Sequence, residues 1–213
     1  MLAELDKPDT AVLLALLDMS VAFDTVNHSI LLKRLENSFG IRGSALQWFS
    51  SYLKDLKVTI GDSSSDPIVL DCSLPQGSKI GPRSYSDYTR PLGSLLRFLA
   101  ILFHCYADDS QLYKSMSLKS TQSQNQSLHH LSQCIQEVEK WTYNNKLKLN
   151  PSKTEFMILC NRKIRNKLSV SELVLRDGTI NESLTAKNLG VWFDNHLSME
   201  KHVSELCKTC FTS

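Results

Sequence analysis

No apolar run in this sequence is long enough to cross a bilayer. The most apolar window, LLRFLAILFHCYA, is interrupted by Arg97 and His104, and a spanning helix needs roughly 20 apolar residues. The start, MLAELDKPDT, is charged and polar, so no secretory leader is visible. No membrane association is expected, and the expected compartment is nuclear or cytoplasmic. A dominant charge is also lacking. The net charge is +2, from 24 Lys and Arg against 22 Asp and Glu, so composition alone does not announce nucleic acid as a partner. No internal repeat is present.

Six cysteines occur without a leader, so a disulfide framework is not expected. Cys72, Cys105, Cys134 and Cys160 each stand alone in apolar or helical stretches and read as small core residues. Cys207 and Cys210 form one C-x-x-C, a weak zinc signal without a second ligand pair. What is there fits a globular chain. Of the 213 residues, 42% are hydrophobic and 22% charged, enough for one good core or two small domains.

AVLLALLD (11–18) is a continuous apolar run ending in an acid and predicts a buried strand. HSILLKRLENSFG (28–40) has helical spacing with Gly40 as its stop, and Asn27 is placed to cap it. SALQWFSSYLKD (44–55) predicts a second helix. LKVTIG and PIVLDCSL flank DSSSD as a hairpin would. PQGSKIGP (75–82) is a Gly/Pro loop leading into a helix through about Arg97. LAILFHCYA and SQLYKS predict two strands. SMSLKSTQSQNQS (115–127) is polar and reads as an exposed loop. A helix follows from Leu128 to near Asn145, then a strand in TEFMILC (154–160). SELVLRDGTI predicts a hairpin turning at Asp177-Gly178. KNLGVWFD predicts one short strand, and the tail from Ser198 a helix. Sheet and helix mix without strict βαβ alternation, so the expected class is α+β.

Asp108 and Asp109 sit together between the two strands LAILFHCYA and SQLYKS. A carboxylate pair on such an apex repels itself, and for an arbitrary pair a solvated turn is the ordinary explanation. Here the flanking residues are apolar, and burial of an unpaired charge is costly. Asp18 ends the buried first strand and offers a third carboxylate. If the three met, the all-oxygen site would suit magnesium and two-metal phosphoryl transfer.

LDMSVAFDTVNH, LPQGSKIGP, YADD, LKLNPSKTEF and KNLGVWFD occur in this order from about residue 11 to residue 205. Together they resemble the reverse transcriptase domain, an RNA-directed DNA polymerase, of non-LTR (LINE-like) retrotransposons. The resemblance implies a palm with a small antiparallel sheet packed on helices, partial fingers and little or no thumb. The implied layout is an N-terminal remnant over 1–10, the palm over 11–195 and a helical tail over 196–213. It further implies that Asp18, Asp108 and Asp109 hold two Mg2+ ions, with Mn2+ as a substitute, and that Lys153 protonates the leaving pyrophosphate. Phe23 matches a steric gate against the ribose 2′-hydroxyl. Gln76 and Gly77 match the loop bordering template and nascent base pair, and Tyr106 the aromatic under the primer end. KNLGVWFDNHLS, with Trp192, matches the primer grip.

The implied partners are an RNA template, a DNA primer and deoxynucleoside triphosphates; protein partners are not indicated. Seven Lys and Arg between Lys146 and Lys167 face one acid, Glu155, and form the best local candidate for phosphate contact. Core packing is the simple reading of Phe23 and Trp192, and a solvated surface lysine that of Lys153. Arg83, Asp87 and Lys79 depart from the more apolar helix and loop of many relatives. The strand ending in Asp18 begins about ten residues from Met1, so a fingers region ahead of it is expected to be missing. The alternative reading is therefore a truncated, inactive retroelement-derived protein that keeps at most nucleic-acid or protein binding.

Overall fold

The computed structural model describes residues 2–19, 22–54, 57, 59–66, 69–176 and 178–211. The fold is α+β, and the chain divides into two compact units. The first holds residues 1–18, 96–139 and 149–213; the second holds 19–95 and 140–148.

The first unit is built on β1 (Thr10–Asp18), which follows the short helix α1 (Leu2–Leu5). Seven consecutive residues of β1, Ala11 to Leu17, are buried. A strand reads this way when sheet neighbours flank it and both its faces are covered. The first condition is met because β1 pairs antiparallel with β5 (Asp109–Ser117) on one side and β6 (Glu155–Leu159) on the other, and the second because residues of both alternating sets, such as Leu13 and Leu14, are buried. The sheet order is β4-β5-β1-β6, with β4 (Leu102–Tyr106) at the edge. One face of the sheet packs Val12, Leu14, Leu16, Met157 and Leu159 around Ala186.

The second unit carries α2 (His28–Phe39), α3 (Gly43–Leu53), the two-residue strands β2 (Thr59–Ile60) and β3 (Ser63–Ser64), and α4 from Gly81. Asn27 caps α2 as expected, its side chain accepting from the Ile30 N–H at 3.1 Å, and Gly40 ends it in the left-handed region at φ 68°. Arg34 is a half-buried cation of this unit. Its guanidinium lies 4.6 Å from the Tyr88 ring centroid and 5.7 Å from that of Trp141, and it donates to the Tyr88 carbonyl and Asn145 Oδ1. Burial pulls its pKa below the ordinary arginine value.

Several expectations are corrected. The polar segment 115–127 is not a loop: β5 runs to Ser117 and α5 (Thr121–Asn144) starts four residues later. Ser120 supplies the cap, its Oγ accepting from the Ser123 N–H. The buried face of this first turn is polar: Gln124 is 2% exposed and bonds the Lys167 carbonyl and both the N–H and hydroxyl of Ser169. An apolar periodicity therefore never shows there.

The hairpin foreseen around DSSSD shrinks to β2 and β3, turning at Gly61-Asp62. Val69 and Leu70 join no strand, and Cys72 makes only an isolated bridge to Asn27; residues 58, 67 and 68 lie outside the described residues. KNLGVWFD is a hairpin rather than one strand. β9 (Thr185–Asn188) turns through Leu189 and Gly190, both at positive φ, into β10 (Val191–Asp194), which is the geometry of a type I′ turn. In the hairpin of β7 (Glu172–Leu175) and β8 (Gly178–Asn181), Leu175 pairs with Gly178, so Gly178 opens β8; Asp177 lies outside the described residues. Cys134 and Cys160 are buried, whereas Cys72 and Cys105 are exposed. The tail is helical as expected, α6 (Glu200–Phe211). No described helix is long and apolar enough to cross a membrane.

Candidate active site

The carboxylates meet because two strand ends share a register. In the β1–β5 ladder Asp18 lies directly opposite Asp109. Directly opposed residues project to the same face, so these two side chains share a side. Asp108 falls in the two-residue turn between β4 and β5, with Tyr106 paired to Asp109 across its base. Ala107, the first residue of that turn, has φ 51°. An L-residue pays for that conformation, which glycine adopts readily, and strain of this kind gathers at functional sites.

The run LNPSKTE folds into a device that aims a lysine. Asn150 Oδ1 accepts from the Ser152 N–H at 3.2 Å and the Ser152 hydroxyl at 2.7 Å. The Thr154 hydroxyl donates to the Asn150 carbonyl. These bonds wind residues 151–153 into a single 3-10 turn. The Asn150 N–H donates to the Asp18 carbonyl at 2.9 Å, tying the turn to the end of β1. Lys153 Nζ then stands 3.5 Å from Asp18 Oδ1. An open cleft of ≈ 340 Å³ is lined by Asp18, Asp109, Ser110, Lys153, Lys187 and Asn188, among others.

Electrostatics in the cleft are unfinished. Asp18 Oδ1 is buried and has no hydrogen-bond partner. Asp109 has its pKa raised above the ordinary carboxylate value, first by burial, then by the charges of Asp108 and Asp18; Lys153 acts the other way. A partly buried, self-repelling set of oxygen donors fits a hard divalent cation. Among the described residues no group of three or more His, Cys, Asp or Glu side chains stands ready to hold a metal ion. The structure offers a facing pair, Asp18 and Asp109, with Asp108 at the adjoining turn. Magnesium suits such a site, since it keeps several waters and takes one or two protein carboxylates together with substrate phosphates.

The other expected residues lie elsewhere. Tyr106 is 62% exposed at the end of edge strand β4. Phe23, Gln76 and Gly77 belong to the second unit and are brought together there. The Leu74 N–H donates to the Phe23 carbonyl, and Gln76 Nε2 donates to Asp24 Oδ1 at 3.3 Å. Pro75 to Ser78 form a turn closed by the Ser78 N–H on the Pro75 carbonyl, with Gly77 at φ 77°, where a type II turn requires glycine. Phe23 stacks on Tyr85, centroids 5.1 Å apart and planes at 14°. It is half-buried, and Tyr85 is fully buried. Trp192 lies under two lysines, Lys187 and Lys201, at 6.0 and 5.4 Å.

The basic run largely pairs with acids. Arg165 makes a two-pronged contact with Glu182 at 2.7 and 2.6 Å, Lys167 reaches Asp9 and Arg162 reaches Glu200. The departures Arg83 and Asp87 form an i,i+4 ion pair on the first turns of α4 (Gly81–Phe98).

Two contributions escaped the sequence reading. Lys187 and Asn188 line the cleft from the β9–β10 hairpin, and only strand pairing could have placed them there. Gly81 is sterically required: a Cβ on it would lie 2.8 Å from Ser78 Oγ, 3.3 Å from the Pro75 carbonyl and 3.6 Å from Phe23. Its presence in LPQGSKIGP was the signal.

Comparison with known proteins agrees with this geometry. The chain is 28% identical over 203 residues to a protein of Drosophila melanogaster described as a probable RNA-directed DNA polymerase from transposon BS, matching 92% of this chain and 21% of the relative. It thus spans about a fifth of that relative's length. Its fold is similar to that of an apo telomerase from Candida tropicalis truncated from the C-terminal domain. The TM-score is 0.58 at 13% identity, covering 89% of this chain and 35% of the telomerase. The family described as reverse transcriptase (RNA-dependent DNA polymerase) matches residues 2–193, and the chain belongs to that family.

Proposed function

We propose that this chain carries the catalytic palm of an RNA-directed DNA polymerase of retrotransposon type, extending a DNA primer on an RNA template with deoxynucleoside triphosphates. The observation that carries this reading is the facing pair Asp18 and Asp109, with a buried oxygen on Asp18 that has no hydrogen-bond partner and only the ion pair with Lys153 at 3.5 Å. Asp18, Asp108 and Asp109 would hold the divalent ions, Mg2+ or in its place Mn2+. Bound there, such ions lower the pKa of an attacking hydroxyl and neutralise charge on a transferring phosphoryl group.

The chain's own residues supply the rest. Burial and neighbouring negative charge disfavour the ionised form of Asp109, a cost that a bound cation would relieve. Lys153, held by the Asn150 turn, is 64% exposed on its cleft side chain. It can swing from Asp18 to an incoming triphosphate and deliver a proton or a positive charge to the departing pyrophosphate. Phe23 sits on a rigid support, Tyr85, which is what a ring discriminating between sugars needs. Gln76 and Gly77 form an exposed turn, and the missing side chain at Gly77 would let a template strand approach the backbone.

Primer extension on an RNA template with Mg2+ and deoxynucleotides tests this. Asp18→Asn and Asp108→Asn should each lower the rate by about three orders of magnitude, the several kcal/mol attributed to metal-held transition-state charge. Lys153→Ala should lower it by about 10–100-fold, within or just below the usual range for general acid catalysis. A folded wild-type chain that extends no primer would refute the reading.

A further inference from the structure

We infer that the exposed aromatic stack on α3 is a base-stacking platform for a single-stranded stretch of the RNA template, seated beside the Gln76-Gly77 turn. The inference rests on the polymerase reading for the identity of the strand, and on the following geometry for the platform itself. Trp48 and Tyr52 are one helical turn apart on α3. Their rings stack, with centroids 5.5 Å apart and planes within 10° of parallel. Trp48 is nonetheless 51% exposed. Two π faces are thus fixed in one orientation, one of them supported and the other open to solvent. Phe49 braces Trp48 edge-on at 5.3 Å. Leu53 is the buried residue on which this helix is anchored.

The stack is wired to the turn that borders the template in the proposed function. The Tyr52 hydroxyl donates to Ser78 Oγ at 2.7 Å, and Ser78 Oγ also accepts from the Gly81 N–H at 2.9 Å. Ser78 closes the Pro75–Ser78 turn that displays Gln76 and Gly77. Trp48 is thus linked to that turn through Tyr52, the ring on which it stacks. The surrounding charge suits a phosphate backbone: Arg42, Lys54 and Lys57 are all exposed, and from residue 41 to 60 the sequence has Asp55 as its only acid. Cations beside rigid aromatic faces are the general chemistry of single-strand binding, in which every base offers a π face.

Intact chain is titrated with a single-stranded RNA of about a dozen nucleotides, a length within the usual site sizes, at low salt and without metal. Tryptophan fluorescence is the readout, because stacking on a base quenches an indole. The expected result is a quench in wild type that disappears in Trp48→Phe while binding by anisotropy persists. Trp48→Ala should weaken binding at least about fivefold. Duplex RNA of the same length, whose bases are already stacked, should leave the emission unchanged. The proposal is overturned if the RNA fails to quench, or if the Trp48→Phe protein quenches as wild type does, since Trp141 or Trp192 would then be reporting. Primer extension on the same preparations separates this from the polymerase reading. Extension with a quench that ignores Trp48 sinks the platform alone, and a Trp48-dependent quench without extension sinks the polymerase reading alone.

Discussion

Strands β1 and β4 look alike as sequence and behave as opposites in the fold. AVLLALLD and LAILFHCYA are both apolar runs that lead to an acid of the candidate site, Asp18 and Asp108. β1 is buried over seven consecutive residues; of the five residues of β4 only Phe103 is even partly sheltered. The cause is position in the sheet. β1 has a hydrogen-bonded neighbour on each side, and β4 has one. Leu102 and Tyr106 are left 54% and 62% exposed at that edge. An apolar run thus records that a strand can be buried; the number of its neighbours decides whether it is. The acids do not inherit the difference: Asp18 ends the well-packed strand and Asp108 follows the loose one, yet both are half-buried.

The comparison breaks most directly in the core. Leu14→Ala on β1 removes a 2%-exposed side chain packed with Met157 and Leu159, and should cost about 2–5 kcal/mol. Leu102→Ala on β4 should change stability by no more than about 0.5 kcal/mol, as surface substitutions do. Urea unfolding of the two variants measures both. Equal losses would mean that β4 is covered in solution and that the contrast is wrong.

That contrast also marks what could be read from the sequence. The strand ending in Asp18, the capped helix after Asn27, the Gln-Gly turn and the hairpin bearing Asp108 and Asp109 were all legible. Each is specified within a few residues, by an apolar run, a capping side chain or a required glycine. The register that sets Asp109 rather than Asp108 against Asp18 was not legible, because it depends on pairing between residues about ninety positions apart. Lys187 and Asn188 were missed for the same reason. Gln124 hid the start of α5 by burying an amide where an apolar residue was expected. The apolar flanks of Asp108 and Asp109 suggested a buried pair of acids, and the structure leaves both half-buried, because β4 lies at the sheet edge while β5 lies inside it.

A smaller effect sharpens the comparison at the turn that joins β4 to β5. Ala107 sits at φ 51°, and glycine would remove the steric penalty while adding freedom to the unfolded chain. Ala107→Gly should therefore stabilise the protein by about 0.5–1 kcal/mol. If the tight turn exists to hold Asp108 in place, the same variant should extend primers more slowly while melting higher. A gain in both would show that the strain at Ala107 has no part in the chemistry.

The smallest expected effect concerns the charge at the start of β5. Asp109 has a folded-state pKa above its ordinary value because burial and the charges of Asp108 and Asp18 disfavour its ionised form. The folded protein thus holds its proton to higher pH than the unfolded chain does. Stability from this group is fully present below the unfolded pKa and is lost as pH rises through the folded one, so at neutral pH the ionised carboxylate opposes folding. Asp109→Asn should then raise the melting temperature of the metal-free protein slightly at pH 7 and leave it unchanged well below pH 4, where the wild-type carboxyl is protonated. Adding Mg2+ should reverse the ranking at pH 7. A cation that binds only the folded state raises its stability in proportion to the logarithm of ligand concentration over Kd, and the wild type keeps the oxygen charge that the variant lacks. Melting curves with and without Mg2+ at the two pH values would decide it: a variant stabilised equally under all four conditions would locate the cost of Asp109 in its packing and not in its charge.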